Sequence, residues 1–102
     1  MAIKRYNAGI QRAKGILEIA AALYDSGRPC GAEANAAKYL AAEAGFHASE
    51  TAVMTHGGMG YAREFHVERM FRESLIPRIA PVSRELILSF IAEKVLGLPK
   101  SY

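Results

Sequence analysis

The stretch AEANAAKYLAAEAGFHASETAVMTHGGMG, from Ala32 to Gly60, decides how this chain folds. It is unusually rich in alanine, and we interpret the segment from Ala32 to about Thr55 as one helix. Six alanines recur at three- or four-residue intervals and form one stripe on this helix, namely Ala34, Ala37, Ala41, Ala44, Ala48 and Ala52. Small residues along one face allow a second helix to approach closely, so the stripe favours a helical bundle.

The glycines at the end of this stretch are expected to break the helix. Gly57, Gly58 and Gly60 stand close together, and each glycine disfavours a helix by roughly 1 kcal/mol relative to alanine. One interpretation is a tight turn between helices, and the other is a pocket whose backbone N–H groups face a phosphate or a flat ring. No Gly-Lys-Ser/Thr motif follows and no strand precedes the glycines, which argues against a phosphate-binding loop or a dinucleotide-binding fold.

Helices are also predicted on both sides of this stretch. An apolar stripe with helical spacing precedes it, formed by Ile3, Tyr6, Ile10, Ala13, Leu17, Ala20 and Tyr24. That first helix should end at Gly27, since glycine adopts the left-handed C-terminal conformation and Pro29 blocks continuation.

After the glycines, a short helix is expected from about Glu64, carrying Val67, Met70 and Phe71. A connector between Pro77 and Pro81 should follow, with Ile76 and Ile79 buried. A last helix is expected from about Val82 to Leu96, stopping at Gly97. Its apolar face comprises Leu86, Ile87, Phe90, Ile91 and Val95. With no strand pattern, the prediction is an all-α, antiparallel up-and-down four-helix bundle formed by residues 1–102 as a single domain.

Composition limits the function. The 102 residues are 51% hydrophobic with a net charge of +3, and opposite charges alternate instead of forming a basic patch, which argues against nucleic-acid binding. Cys30 is the single cysteine, so no internal disulfide is expected. The sequence has no signal-peptide core and no uncharged run of about 18 residues, which predicts a cytoplasmic protein without a membrane span.

Titratable side chains suggest structural roles. His47, His56 and His66 are separated by intervals without metal-ligand logic, so we expect no metal site. Glu68, Arg69, Arg72 and Glu73 have the spacing of ion pairs along a helix.

The segment KYLAAEAGFHASETAVMTHGGMGYAREFHVERMFRESLIPRI, from Lys38 to Ile79, resembles the C-terminal helical domain of the flavin-dependent acyl-CoA dehydrogenases. Members of that family have a long alanine-rich helix, a Gln-x-x-Gly-Gly-x-Gly-Tyr/Phe loop, a Pro-Val-Glu-Arg-x-x-Arg-Asp helix and an Ile-Tyr-Glu-Gly-Thr turn before the last helix. The resemblance implies that this chain is the C-terminal part of a larger FAD-dependent enzyme that desaturates an acyl-CoA thioester.

The resemblance also implies roles for particular residues. The glycine loop would lie against the FAD of a neighbouring subunit, which makes Met54, Thr55, His56, Gly57 and Gly58 candidate cofactor contacts. Ser83 matches a threonine that contacts the flavin. The expected partners are a homo-oligomer, dimeric or tetrameric, or the domains that precede this one, together with acyl-CoA in the intact enzyme.

Two departures from the family pattern affect the chemistry. Pro81 falls where many members place the glutamate that removes the α-proton, and proline cannot act as a base. An alternative interpretation of Pro81 is structural, since proline suits the first turn of a helix. Met54 replaces the glutamine of the family loop, so a hydrogen-bonding side chain is lost. We therefore expect no catalytic residue in this chain, which should be inactive alone.

An alternative function is a non-catalytic helical module that self-associates and has lost the flavin. The apolar stripe of the last helix, formed by Leu86, Ile87, Phe90 and Ile91, is wider than one neighbouring helix can cover. Exposed apolar patches mark contact surfaces, so self-association is expected with or without FAD.

Overall fold

The structure is a computed structural model that describes residues 2–100, with side chains described from Asn7 onward. Two long helices dominate it, α1 (Ala2–Asp25) and α2 (Gly31–His56). Two short 3-10 segments, Gly57–Tyr61 and Arg63–Phe65, lead into α3 (Val67–Glu73). The chain continues through α4 (Ile76–Ile79) to α5 (Arg84–Phe90), which is extended by a π-helical segment, Ile91–Val95.

The predicted all-α class is confirmed, because residues 2–100 contain helices and turns and no strand. The predicted topology of four helices running up and down is not confirmed. The two long helices form a hairpin, and the shorter helices α3, α4 and α5 pack on α2. The glycine cluster and Pro81 interrupt the second half of the chain, and His66, with φ +61°, sets the start of α3, so the helices there are short.

Small residues bring α1 and α2 together, as the alanine stripe predicts. A Cβ added to Gly9 of α1 would lie 3.8 Å from the Cβ of Ala44 on α2, near the open end of the hairpin. Ala13 and Ala20 of α1 are buried, and so are Ala37, a member of the stripe, and Ala42, which is not. Ala34 and Ala41 of the stripe are exposed. The long helix α2 thus forms the scaffold on which the other helices pack.

The apolar stripe of α1 is only partly buried. Ile10 and Leu17 are 49% and 58% exposed, and Tyr24 is 75% exposed. Ile10 and Leu17 line an open apolar groove of about 580 Å³ between α1 and α2, whose α2 side is formed by Ala34, Ala37 and Ala41. The side chains of Ile3 and Tyr6, the first two members of the predicted stripe, lie outside the described part of the structure.

The C-terminal end of α1 follows the prediction. Gly27 has φ +76°, Gly27 N donates to Tyr24 O at 3.0 Å, and Arg28 N donates to Leu23 O at 2.9 Å. These hydrogen bonds satisfy carbonyl groups of the last helical turn, as in the common glycine-terminated helix end. The last helix likewise stops at Gly97, whose φ is +70°.

Alanine substitutions at two glycines should change stability in opposite directions. Gly27→Ala is expected to lower the free energy of unfolding by roughly 1 kcal/mol, because a Cβ disfavours positive φ. Gly15 lies within α1, and a Cβ there would meet no atom within 4 Å. Gly15→Ala should therefore raise the free energy of unfolding by roughly 0.5 to 1 kcal/mol. Urea denaturation of both variants checks the signs, and the same sign for both would contradict this account.

Two predictions about the surface have different outcomes. The predicted ion pairs of α3 are confirmed, with Arg72 Nη2 3.3 Å from Glu68 Oε2 and Arg69 Nε 3.9 Å from Glu73 Oε1. The predicted burial of Ile76 and Ile79 is wrong, because these side chains are 60% and 66% exposed. In the single turn of α4, Arg78 takes the inward position instead and packs on α2. None of the described helices is long and apolar enough to cross a membrane.

Candidate functional site

The glycine turn, residues 57–61, is set at the end of α2 by the backbone of its first residue. Gly57 has φ +62°, and its N–H donates to Met54 O. A positive φ is accessible to glycine at little cost and is disfavoured for residues with a Cβ. The chain therefore leaves the α-helix here and makes a 3-10 turn, Gly57–Tyr61, as the glycine cluster predicts.

Gly60 holds this turn against α2. It is buried, and a Cβ built on it would lie 2.3 Å from Val53 O, 3.0 Å from Val53 C and 3.1 Å from His56 Cβ. The first two atoms belong to the α2 backbone and cannot rotate away. The interpretation of the motif as a tight turn is thus correct for Gly60, which is needed for packing.

Gly57 and Gly58 differ from Gly60 in their surroundings. Both are exposed, and a Cβ at either position would meet no atom within 4 Å. Packing inside the subunit therefore does not require glycine at position 58. The open backbone leaves room for a molecule from outside to approach this part of the turn closely.

The side chains next to this open backbone are accessible as well. Met54, Thr55 and His56 are all exposed, and Met54 is 76% exposed. His56 Nδ1 lies 2.7 Å from Ala52 O, a hydrogen bond that holds the ring beside the last turn of α2. Five of the six predicted cofactor contacts thus form one continuous, open segment, Met54 to Gly58.

Ser83, the sixth predicted contact, occupies a different local structure. It is the N-cap of α5, and its Oγ accepts a hydrogen bond from Leu86 N at 3.3 Å. The O–H of an N-cap serine is not used in this bond and can donate to another group. The connector in the structure is residues 80–83 and is shorter than predicted, because residues 77–79 belong to α4. Ser83 is its last residue, and its Ala80–Pro81 peptide bond is cis.

Pro81 lies in this connector, two residues before Ser83, and not in the first turn of the helix. The structural interpretation of Pro81 as a first-turn residue is therefore wrong. Pro81 is exposed, and so is Glu85, the acidic residue in the first turn of α5.

The glycine turn and the connector lie at different places along α2. The connector and its flanking residues contact α2 around Lys38 and Glu43, whereas the glycine turn follows His56. At 1.5 Å per residue, Glu43 and His56 are about 20 Å apart along the helix axis. The six predicted residues therefore form two separate surfaces.

A cluster of charges joins α2 to α4 and α5, and the sequence does not indicate it. Arg78 donates to both carboxylate oxygens of Glu43, from Nε at 2.9 Å and from Nη2 at 3.4 Å, and Arg84 Nε lies 3.5 Å from Glu43 Oε1. Lys38 Nζ donates to Ala80 O at 2.9 Å and also to Pro77 O. These partners are separated by more than thirty residues in the sequence, so no local spacing indicates them.

His47 also has carboxylate neighbours that its sequence spacing could have shown. Its ring nitrogens lie 3.6 Å from Glu43 Oε2, four residues earlier, and 3.8 Å from Glu50 Oε2, three residues later. Over the described residues, however, no group of three or more His, Cys, Asp or Glu side chains is arranged to hold a metal ion. Glu43 instead serves as the counter-ion of two arginines.

Comparison with known proteins decides the family. The sequence-family model of the acyl-CoA dehydrogenase C-terminal domain matches residues 2–96 of this chain. This chain belongs to the acyl-CoA dehydrogenase family. It is 46% identical over 95 residues to the acyl-CoA dehydrogenase FadE12 of Mycobacterium tuberculosis, an alignment that covers 91% of this chain.

Other acyl-CoA dehydrogenase relatives have names that differ in substrate and reaction. The chain is 33% identical over 87 residues to a cyclohexane-1-carbonyl-CoA dehydrogenase of Geobacter metallireducens, covering 85% of this chain and 23% of the relative. It is also 33% identical over 84 residues to an acryloyl-CoA reductase (NADH) of Anaerotignum propionicum, covering 82% of this chain and 21% of the relative. The match to FadE12 spans 24% of that protein's length, so this chain spans about a quarter of the length of the curated relatives it matches. No solved structure gives a significant match.

Proposed function

We propose that this chain is the C-terminal helical domain of an FAD-dependent acyl-CoA dehydrogenase that, as a whole protein, desaturates an acyl-CoA thioester between its α and β carbons. Residues 1–102 would form one domain of a larger cytoplasmic assembly. The observation that carries the proposal is the open backbone at Gly57 and Gly58, where an added Cβ would meet no atom of the described chain within 4 Å.

The exposed segment from Met54 to Gly58 fits a flat cofactor. A ring system can lie close to a backbone that carries no Cβ, and the exposed Met54 side chain offers a polarizable apolar surface beside it. Ser83 supports a polar contact, since its O–H is available to donate. FAD in the intact enzyme supplies the acceptor for the hydride from the substrate's β-carbon. The residues of this chain bind and orient, and do not react.

The separation of the two surfaces supports an oligomer. The glycine turn and the connector are about 20 Å apart along α2. The two surfaces would therefore contact two different cofactor molecules and not a single cofactor at one place. In a dimer or tetramer, the connector would face the site of its own subunit, and Met54 to Gly58 would face the FAD of a neighbour. Each site is then complete only in the assembly.

The base that removes the α-proton is proposed to lie outside this chain. Pro81 has no proton acceptor in its side chain, and Glu85 is exposed on the first turn of α5. General-base catalysis needs a carboxylate within hydrogen-bonding reach of the proton that it removes. The isolated chain should therefore show no dehydrogenase activity toward acyl-CoA.

Gly58→Ala tests the flavin surface without disturbing the fold. The new methyl group meets no atom inside the subunit, so the free energy of unfolding should change by less than about 0.5 kcal/mol and the melting temperature should change little. If FAD lies flush on this backbone, the methyl group should weaken FAD binding by about tenfold, which corresponds to ~1.4 kcal/mol. Visible absorbance during an FAD titration of the intact protein measures the affinity.

Gly45→Ala is the matched control, because Gly45 is also exposed and a Cβ there also meets no atom within 4 Å. It lies within α2, away from the glycine turn, and should leave FAD affinity unchanged. Equal FAD affinity in Gly58→Ala and the wild type would contradict contact at this turn.

The second candidate function is a helical module that self-associates without flavin. The observation in its favour is the exposure of large apolar side chains, with Tyr61 88% exposed and Leu86 52% exposed. Exposed apolar surface of this kind often forms a contact between subunits. A colourless protein that ignores added FAD, yet scatters light as a dimer or tetramer, would favour this function. A yellow protein would favour the dehydrogenase.

A further inference from the structure

Four polar side chains attach the connector to α2, two of them on α2 itself and two beside the connector. Lys38 Nζ donates to the carbonyl oxygen of Ala80, the first residue of the connector, at 2.9 Å. Arg78, just before the connector, and Arg84, just after it, both pair with Glu43 at distances of 2.9 and 3.5 Å. The two ends of the connector are thus held by one carboxylate.

The Glu43 pair with Arg78 is well shielded from solvent. The side chains of Glu43 and Arg78 are 18% and 16% exposed, and the Arg78 guanidinium lies 4.1 Å from the centre of the Phe46 ring. Charge-assisted, two-point hydrogen bonds between arginine and a carboxylate also fix the relative orientation of the two groups. This pair therefore sets the position of α4 on α2.

Arg84 depends on the same carboxylate. Its side chain is 34% exposed, but Nε is buried and has no hydrogen bond within the described residues. Its distance of 3.5 Å to Glu43 Oε1 makes that carboxylate the charge that offsets it. Arg84 follows Ser83 directly, so its placement determines where the N-cap of α5 lies.

We propose that Glu43 is a positioning residue that holds Arg78 and Arg84 together and thereby fixes the connector and the Ser83 hydroxyl. The inference rests on the proposed function in that Ser83 is taken to face FAD. Without the Glu43 charge, Arg78 and Arg84 repel each other across the connector, because like charges at short distance in a partly buried site are weakly screened. The connector then samples several arrangements and presents Ser83 in only some of them.

Glu43→Gln in the full-length protein tests this, since glutamine keeps the size of the side chain and removes its charge. The amide of Leu86, which donates to Ser83 Oγ, reports locally on the connector. Its hydrogen exchange should accelerate by about tenfold, while amides of the α1–α2 hairpin keep their wild-type rates. A general loss of stability would instead accelerate exchange throughout the chain.

The second measurement is FAD affinity by visible absorbance, which should fall by about tenfold in Glu43→Gln. The control is Glu50→Gln, because Glu50 lies on the same helix, is 52% exposed and pairs with His47 at 3.8 Å. It should change neither Leu86 exchange nor FAD affinity. Glu43→Asp keeps the charge and should restore most of the wild-type protection of the Leu86 amide and most of the wild-type FAD affinity.

The outcomes separate this inference from the proposed function. Unchanged Leu86 exchange in Glu43→Gln overturns the inference, and so does faster local exchange with wild-type FAD affinity. The proposed function survives both of these results. A wild-type protein that takes up no FAD overturns the proposed function, and the exchange measurement then decides whether Glu43 holds the connector.

Discussion

Gly60→Ala is expected to lower the free energy of unfolding by about 3 kcal/mol, at the upper end of the usual cost of overpacking. The new Cβ would lie 2.3 Å from Val53 O, well inside van der Waals contact, and 3.1 Å from His56 Cβ. Val53 O belongs to the backbone of α2, so relief requires the glycine turn to move away from the helix. Because small domains are stable by only about 5 to 15 kcal/mol, this loss is a large fraction of the total and should lower the melting temperature by more than about 10 °C.

Gly58→Ala is the control for this prediction, since it introduces the same methyl group into the same turn. A Cβ at position 58 meets no atom within 4 Å, and the expected change is within about 0.5 kcal/mol. Urea denaturation followed by circular dichroism compares the two variants. Equal midpoints for Gly60→Ala and Gly58→Ala would show that the turn does not pack on Val53.

Ile87→Ala should also lower the free energy of unfolding by about 3 kcal/mol, through a cavity and the loss of buried apolar surface. Ile87 is 1% exposed and is the largest fully buried side chain described. It lies on α5, which packs on α2. The deletion should therefore loosen the attachment of the last helix to the scaffold.

Leu86→Ala is the matched control on the neighbouring residue, which is 52% exposed. It should change the free energy of unfolding of the isolated subunit by less than about 1 kcal/mol. Denaturation at a concentration where light scattering shows a monomer is the appropriate measurement. A loss at Leu86 as large as that at Ile87 would contradict the placement of these two side chains.

The position of Ile87 changes the prediction about self-association. The sequence predicts that Leu86, Ile87, Phe90 and Ile91 form one apolar surface wider than a neighbouring helix can cover. In the structure Ile87 is core, Phe90 and Ile91 are half-buried, and Leu86 is exposed. A Cβ added to Gly31 would lie 3.5 Å from Phe90 Cζ, which places that ring against the start of α2. Self-association stays a prediction, with a smaller apolar surface to support it.

The candidate flavin contacts are predicted from the sequence only as a set. The resemblance pointed to Met54 through Gly58 and to Ser83, and the sequence offered a turn and a pocket as alternatives for the glycines. The structure distinguishes the glycines by packing, because Gly60 packs on α2 while Gly57 and Gly58 stay open, and a cofactor contact at the open positions stays a prediction. Spacing alone cannot separate them, since the difference lies in which glycine approaches Val53.

The sequence by itself determined where three helices end, although the predicted starts of α3 and α5 are off by two or three residues. Gly27, Gly57 and Gly97 each have positive φ, and helices stop at or beside all three. A helix end depends on the backbone preferences of a few adjacent residues, so local sequence is sufficient. The tertiary structure alone decided which side of α4 faces inward. Ile76 and Ile79 are exposed because Arg78 turns toward Glu43, a carboxylate 35 residues away that local sequence cannot reveal.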